Sequence, residues 1–184
     1  MGGFSIKTLI IVAHPNLNES RLNAYLKGVV ENQTDSTIND LYESYPNEKI
    51  DIKREQKLLT EHDRIIFQFP NYWYSYPPLL KKWFDLVLER GWAFRGQHAL
   101  KGKEFGVALS SGFTTEDYRF DGLHRHSIEQ IMAPFFATCN FIRTKSLPIF
   151  NTFEDEMETE EELRLQGVKY IDYIRKTYSF HYDS

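Results

Sequence analysis

A chain of 184 residues, 41% hydrophobic and 26% charged, is of the right size for one globular domain over 1–184 with a full core of its own. A net charge of −4 without a basic face argues against a nucleic-acid partner, and no apolar run approaches the ~20 residues that span a bilayer. The single Cys139 excludes an internal disulfide, and without CxxC, HExxH or a Cys/His cluster no metal site is expected.

A reducing cytoplasm suits that cysteine count. The start, residues 1–7, has neither the apolar stretch of a signal peptide nor the Ser or Thr that myristoylation wants at position 6. Aromatic residues are in excess, with 11 Tyr, 14 Phe and 3 Trp, and must fill a core, an interface or a stacking site.

Residues 8–13, Thr-Leu-Ile-Ile-Val-Ala, are continuous and rich in β-branched side chains, and read as a strand buried on both faces. The segment His-Pro-Asn-Leu-Asn-Glu-Ser-Arg-Leu-Asn, 14–23, follows and opens a helix over 20–31. A helix start offers free N–H groups and the positive end of the dipole, which together make an anion site. Ser20 adds a hydroxyl, while His14 and Arg21 add charge-assisted donors. The same residues equally fit a plain helix cap at Asn18 or Ser20. Neither GxGxxG nor GxxxxGK[ST] is present, against a Rossmann dinucleotide turn and a P-loop.

A short strand is expected at 37–41 and a second buried strand at 64–69. The loop after it, 70–78, holds Pro70, Asn71, Tyr72, Trp73, Tyr74 and Tyr76, and prolines keep it extended. So many aromatics at a strand end fit either the edge of a planar ring ligand or a subunit interface. The helix expected at 78–89 places Leu79, Leu80, Trp83, Phe84, Val87 and Leu88 near a 3.6-residue period, with Pro78 in its first turn.

A third strand is expected at 104–109. The loop beyond it carries Ser110, Ser111 and Gly112, whose lack of a side chain lets backbone approach a ligand closely. Tyr118 and His124 follow as two proton-handling groups, or as ordinary surface residues. A helix over 127–137 with a kink at Pro134 and a weaker strand at 141–147 come next. The acidic cluster between Glu154 and Glu162 reads as a solvated loop and helix start. Thr159-Glu160-Glu161-Glu162 is a capping-box pattern opening a last helix over 160–178.

Strands alternating with helices imply βαβ units, hence an α/β fold: a five-stranded, doubly wound parallel sheet of flavodoxin-like order 2-1-3-4-5 with helices on both faces. Ligands then bind beyond the strands' carboxyl ends near the switch point, so the loops after Ala13, Phe69 and Leu109 are the ones that matter.

Four motifs in order resemble the flavodoxin-like NAD(P)H:quinone oxidoreductase family over roughly 7–178. That family includes DT-diaphorase and short bacterial members, among them potassium-efflux ancillary oxidoreductases. The motifs are Ala-His-Pro with Ser20 and Asn23, Phe-Pro-x-x-Trp-Tyr running into Pro-x-x-Leu-Lys-x-Trp-Phe-Asp, Gly-x-Ala-Phe ending at Phe94, and Tyr-x-x-x-Gly-Leu-His from Tyr118 to His124. The resemblance implies that His14, Ser20, Arg21, Leu22 and Asn23 hold a flavin phosphate and ribityl chain. By the same resemblance Pro70, Asn71, Trp73 and Tyr74 line one edge of the ring, Ser110, Ser111 and Gly112 meet its pyrimidine end, and Tyr118 and His124 are catalytic. Phe94 would reach the partner subunit's site, which implies a homodimer. The larger family members have a second glycine where this chain has Phe113, and a longer C-terminus that accompanies FAD. A chain stopping at Ser184 therefore points to FMN, with FAD as the other option. The expected activity is hydride transfer from NAD(P)H through the flavin to a quinone or similar flat electrophile. The alternatives are an ancillary subunit serving a membrane transporter and a one-electron carrier.

Overall fold

The computed structural model describes residues 6–180. The leader reading of residues 1–5 and the terminal Ser184 lie outside the described residues. Four parallel strands, β1 (Thr8–Val12), β2 (Thr37–Asp40), β3 (Arg64–Pro70) and β4 (Glu104–Ser111), lie in the order β2-β1-β3-β4. The fifth position is shared by β5 (Lys145–Ser146) and β6 (Phe150–Phe153), both parallel to β4. β5 pairs with Glu104 and Phe105, and β6 with residues 108–111. The break between them contains Pro148, which has no N–H to give a ladder. The expected flavodoxin-like order is what the chain adopts, with its edge strand in two pieces.

Side chains of β1 alternate between two cores. Ile10 and Val12 face α1 (Arg21–Gln33) and α7 (Glu160–Arg175), packing with Leu22, Leu26 and Tyr170. Leu9 and Ile11 face the other layer, made by α3 (Ile52–Glu61), α4 (Pro78–Val87) and α6 (Ala133–Ile142), with Leu59, Trp83 and Phe135. Strands covered on both faces favour apolar residues at nearly every position, as in Leu9 to Val12 of β1 and Ile65 to Phe67 of β3; the buried exceptions in β3, Arg64 and Gln68, are hydrogen-bonded. Two short helices, α2 (Leu41–Ser44) and α5 (Ile128–Ile131), complete the chain.

Several boundaries differ from the sequence expectation. The helix expected at 127–137 is two helices, because Pro134 occupies the first turn of α6 and the backbone breaks at Met132. Phe141 and Ile142 end α6 and do not begin a strand. Phe135, Cys139 and Ile142 bury one face of that helix, and Arg143 stops it at φ 64°. α7 ends at Arg175, short of 178. Neither α3 nor β6 is anticipated. The buried face of α3 sets Glu55 and Gln56 beside Leu59, which interrupts the apolar stripe that would announce it. No helix among the described residues is long and apolar enough to cross a membrane.

Candidate cofactor site

The sheet register brings the three candidate loops together. Val12 pairs with Gln68, and Pro70 with Ser110. The N–H of Ala13 donates to Gln68 O at 2.9 Å, and that of Asn71 to Ser110 O at 2.7 Å. Because β1 lies between β2 and β3, chain connections leave it in opposite directions, and a cleft opens at its carboxyl end. A cavity of about 320 Å³ fills that place, lined by His14, Ser20, Pro70, Asn71, Ser110 and Gly112 together with Asn16, Glu19, Tyr72 and Glu154.

Ser20 is the N-cap of α1. Its Oγ accepts from the Asn23 N–H at 3.1 Å and from the Asn23 side-chain amide at 3.2 Å. The same amide donates to Ser110 Oγ at 2.9 Å. The cap thus ties the first loop to the third, and a helix's first N–H groups, here those of Arg21 and Leu22, lack intrahelical acceptors. The side chain of Leu22 is in the core, so only its backbone can serve a ligand. The Arg21 guanidinium is drawn away, donating to Met157 O and Glu160, each at 2.8 Å. The cavity lining therefore contains no Lys or Arg.

His14 is buried, and its Nδ1 accepts from the Asn16 N–H at 3.1 Å, which leaves Nε2 to carry the proton. Burial lowers its pKa, and nearby Asp40 only partly opposes this. The imidazole is a neutral N–H donor and not a cation.

In the second loop, Tyr72 and Ser75 bond reciprocally at 3.1 and 3.0 Å around a tight turn whose central residues, Trp73 and Tyr74, have φ of 48° and 62°. Positive φ at both central positions is a type I′ feature that normally selects Asn or Gly. Trp73 is 92% exposed. In the third loop the left-handed residue is Phe113, with φ 70°, and not Gly112. Gly112 lines the cavity in ordinary backbone, with open space where a side chain would stand.

Tyr118 and His124 lie ring against ring in a tilted contact, with centroids 4.2 Å apart at 30°. Tyr74 Oη lies 3.1 Å from His124 Nδ1, Phe113 meets the His124 ring edge-on, and Asn71 Nδ2 donates to Tyr118 Oη at 3.4 Å. Burial raises the Tyr118 pKa against the lowering effect of its bonds to Asn71 and Ser111. It is a neutral phenol able to donate. Ser111 donates to Asn151 on β6 at 3.0 Å. Among the described residues, three buried polar atoms of this cluster have no partner: Asn71 Oδ1, His124 Nε2 and Asn151 Nδ2. Unpaired groups of this kind fit a polar ligand edge.

The structure thus gathers all three loops. Phe94 stands apart, against Phe141 in a separate cleft of about 900 Å³ between α4 and α6. Sequence reasoning misses the acidic turn 154–156. Asp155 accepts from the Phe113 N–H at 3.1 Å, Glu156 from the Thr115 N–H at 2.6 Å, and Glu154 lines the cavity. The expected solvated loop is in part a brace for the third loop. Only its acidity signals it in the sequence.

A doubly wound sheet with a polar cavity at the switch point, over a helix N-terminus, defines a nucleotide- or flavin-binding class of α/β protein. The sequence matches the family described as flavodoxin-like fold over residues 6–173, and the chain belongs to it. It is 41% identical to the uncharacterized NAD(P)H oxidoreductase YrkL of Bacillus subtilis, over 92% of this chain and 98% of that protein. It is 38% identical to KefG of Cronobacter sakazakii, a glutathione-regulated potassium-efflux system ancillary protein, over 89% and 90%. Among solved structures, the NADPH-quinone reductase from P. pentosaceus superposes with a TM-score of 0.86 at 34% identity, over 94% and 99%. General stress protein 14 from Treponema denticola, in complex with FMN, has a TM-score of 0.86 at 39% identity, over 91% and 97%.

Proposed function

We propose that this chain, as a single flavodoxin-like domain over 1–184, is a cytoplasmic FMN-dependent NAD(P)H oxidoreductase acting on a quinone or similar flat electrophile. The observation that carries this reading is one cavity with an anion cradle at His14 and Ser20 and the packed Tyr118–His124 ring pair in the adjoining loop. FMN is favoured over FAD by the FMN-bound relative, and a quinone acceptor by the NADPH-quinone reductase.

Bound flavin supplies the hydride-accepting ring, and the protein supplies orientation and charge. The Arg21 and Leu22 N–H groups, Ser20 and neutral His14 receive the phosphate, and Asn23 supports them. Pro70, Asn71, Trp73 and Tyr74 border one ring edge and Ser111 and Gly112 the other, while Ser110, tied through Asn23 to Ser20, faces the phosphate end. Tyr118 donates its phenolic hydrogen to developing negative charge, and His124 offers Nε2 beside it. Phe94, outside the cavity of its own chain, completes the site of a second copy in a homodimer.

The class is tested by the absorbance spectrum of the purified protein, followed by release and identification of the flavin. The mechanism is tested by Tyr118→Phe with His124→Gln, which should slow flavin reduction by NAD(P)H by about a hundredfold or more. Wild-type speed in that variant discards the pair as catalytic. A second reading, an ancillary subunit of a membrane transport system, draws support from the KefG relative. Turnover of NADPH with menadione by the isolated protein favours the enzyme. Absent turnover together with retention by a membrane partner favours the ancillary role.

A further inference from the structure

The cradle holds no cationic side chain among its lining residues, so a phosphate there depends on neutral donors. Ser20 Oγ already accepts two hydrogen bonds from Asn23, one from its backbone and one from its amide. A hydroxyl oxygen has two lone pairs, and both are taken. Its own hydrogen is left to point elsewhere, and among the described residues it has no protein acceptor. Ser110 Oγ also accepts from the Asn23 amide. Asn23 itself is only 1% exposed and does not line the cavity. Its carbonyl oxygen accepts from Gln68 Nε2 at 3.0 Å, and Gln68 Oε1 accepts from Tyr170 at 3.1 Å, which fixes the residue from behind.

We infer that Asn23 is a positioning residue: by giving both amide hydrogens to Ser20 and Ser110, it turns both hydroxyl hydrogens into the cavity as donors to the ligand's phosphate. This deepens the flavin reading and rests on it. The sequence resemblance casts Asn23 as a flavin contact; its burial makes it the residue behind the contacts.

The experiment compares dissociation constants for FMN and riboflavin, read by quenching of flavin fluorescence, in wild type, Asn23→Asp, Ser110→Ala and the double variant. A carboxylate at 23 accepts from both hydroxyls and turns their hydrogens inward. Asn23→Asp should therefore weaken FMN by about a hundredfold and leave riboflavin within about threefold. Ser110→Ala should weaken FMN by about tenfold. With Ser110 already replaced, Asn23→Asp should cost clearly less, because part of its effect passes through that hydroxyl. Additive losses would mean simple charge repulsion, and equal losses for FMN and riboflavin a general structural role; either overturns the inference. If Asn23→Asp does not fold, Ser110→Ala decides, and unchanged FMN affinity there overturns it. Wild-type protein that binds neither flavin overturns the flavin reading and this inference with it. Tight wild-type FMN binding with an unaffected Asn23→Asp variant sinks the inference alone.

Discussion

Trp73 and Tyr74 sit in left-handed backbone, where an L side chain costs roughly 1–2 kcal/mol per residue. No core packing repays that at Trp73, which is almost wholly exposed. Strain kept at the rim of a cleft points to function. Trp73→Asn should therefore stabilise the fold by about 1 kcal/mol, raising Tm by about 2–4 °C, since Asn tolerates this conformation. It should also slow quinone reduction by about two- to tenfold through the lost ring contact. Thermal melts and steady-state rates check the two opposite signs, and a lower Tm would refute the strain account. His14 carries a pH prediction. Burial holds its folded pKa below the usual value near 6.5, so the unfolded chain binds the extra proton first. The stabilising contribution of the neutral ring is complete above pH 6.5 and fades as pH falls through the folded pKa. Urea midpoints should drop between pH 7 and pH 5, and the drop should be smaller in His14→Gln. Equal drops in both proteins would remove His14 as the cause.

At the level of elements, α3 is held by a buried carboxylate. Glu55 is fully buried and accepts from Asn39 and Trp83 at 2.8 Å each, and from Tyr45 and Arg54 at 2.6 Å each. Burial, then the bond to Glu55, pushes the Tyr45 phenol up to about 12. These bonds join β2, α3 and α4 at one point. Glu55→Gln replaces one accepting oxygen with an NH₂ that faces donors, and should cost about 3–5 kcal/mol in urea denaturation. A loss below about 1 kcal/mol would mean the network is not what anchors α3. The same residue explains why α3 is illegible in the sequence. Its inward face sets Glu55 and Gln56 beside Leu59, and Glu55 is satisfied mostly by residues from other elements, whereas β1 declares itself by the apolar run from Leu9 to Val12 and β3 by Ile65 to Phe67. The site divides in the same way. His14, Asn71 and Ser111 are found because they follow strands that are easy to read. The bonds from Phe113 and Thr115 to Asp155 and Glu156 join residues about forty positions apart, and no local pattern records them.

At the scale of the molecule, a cleft of about 900 Å³ is larger than the cofactor cavity of about 320 Å³. It runs between α4 and α6, lined by Tyr76, Phe84, Leu86, Phe94 and Phe141, with Leu86 and Phe141 exposed. Lys81, Asp85, Glu89 and Arg90 also line it, so both signs of charge occur together. A two-fold axis sets a surface against itself, and a mixed-sign, apolar-centred patch is self-complementary under that operation. The proposed homodimer therefore places this face at its centre, and sedimentation should give twice the 21.8 kDa chain mass. Phe141→Glu puts an unpaired carboxylate into the apolar centre and should yield monomers. The cradle residues all lie elsewhere, so the monomer should still bind FMN with wild-type affinity. Phe94 would no longer reach a second site, and quinone turnover should fall by about tenfold or more. A variant that stays dimeric would show that another face forms the interface. A monomer with full turnover would leave the dimer without a part in catalysis, and Phe94 with a purely structural place beside Phe141.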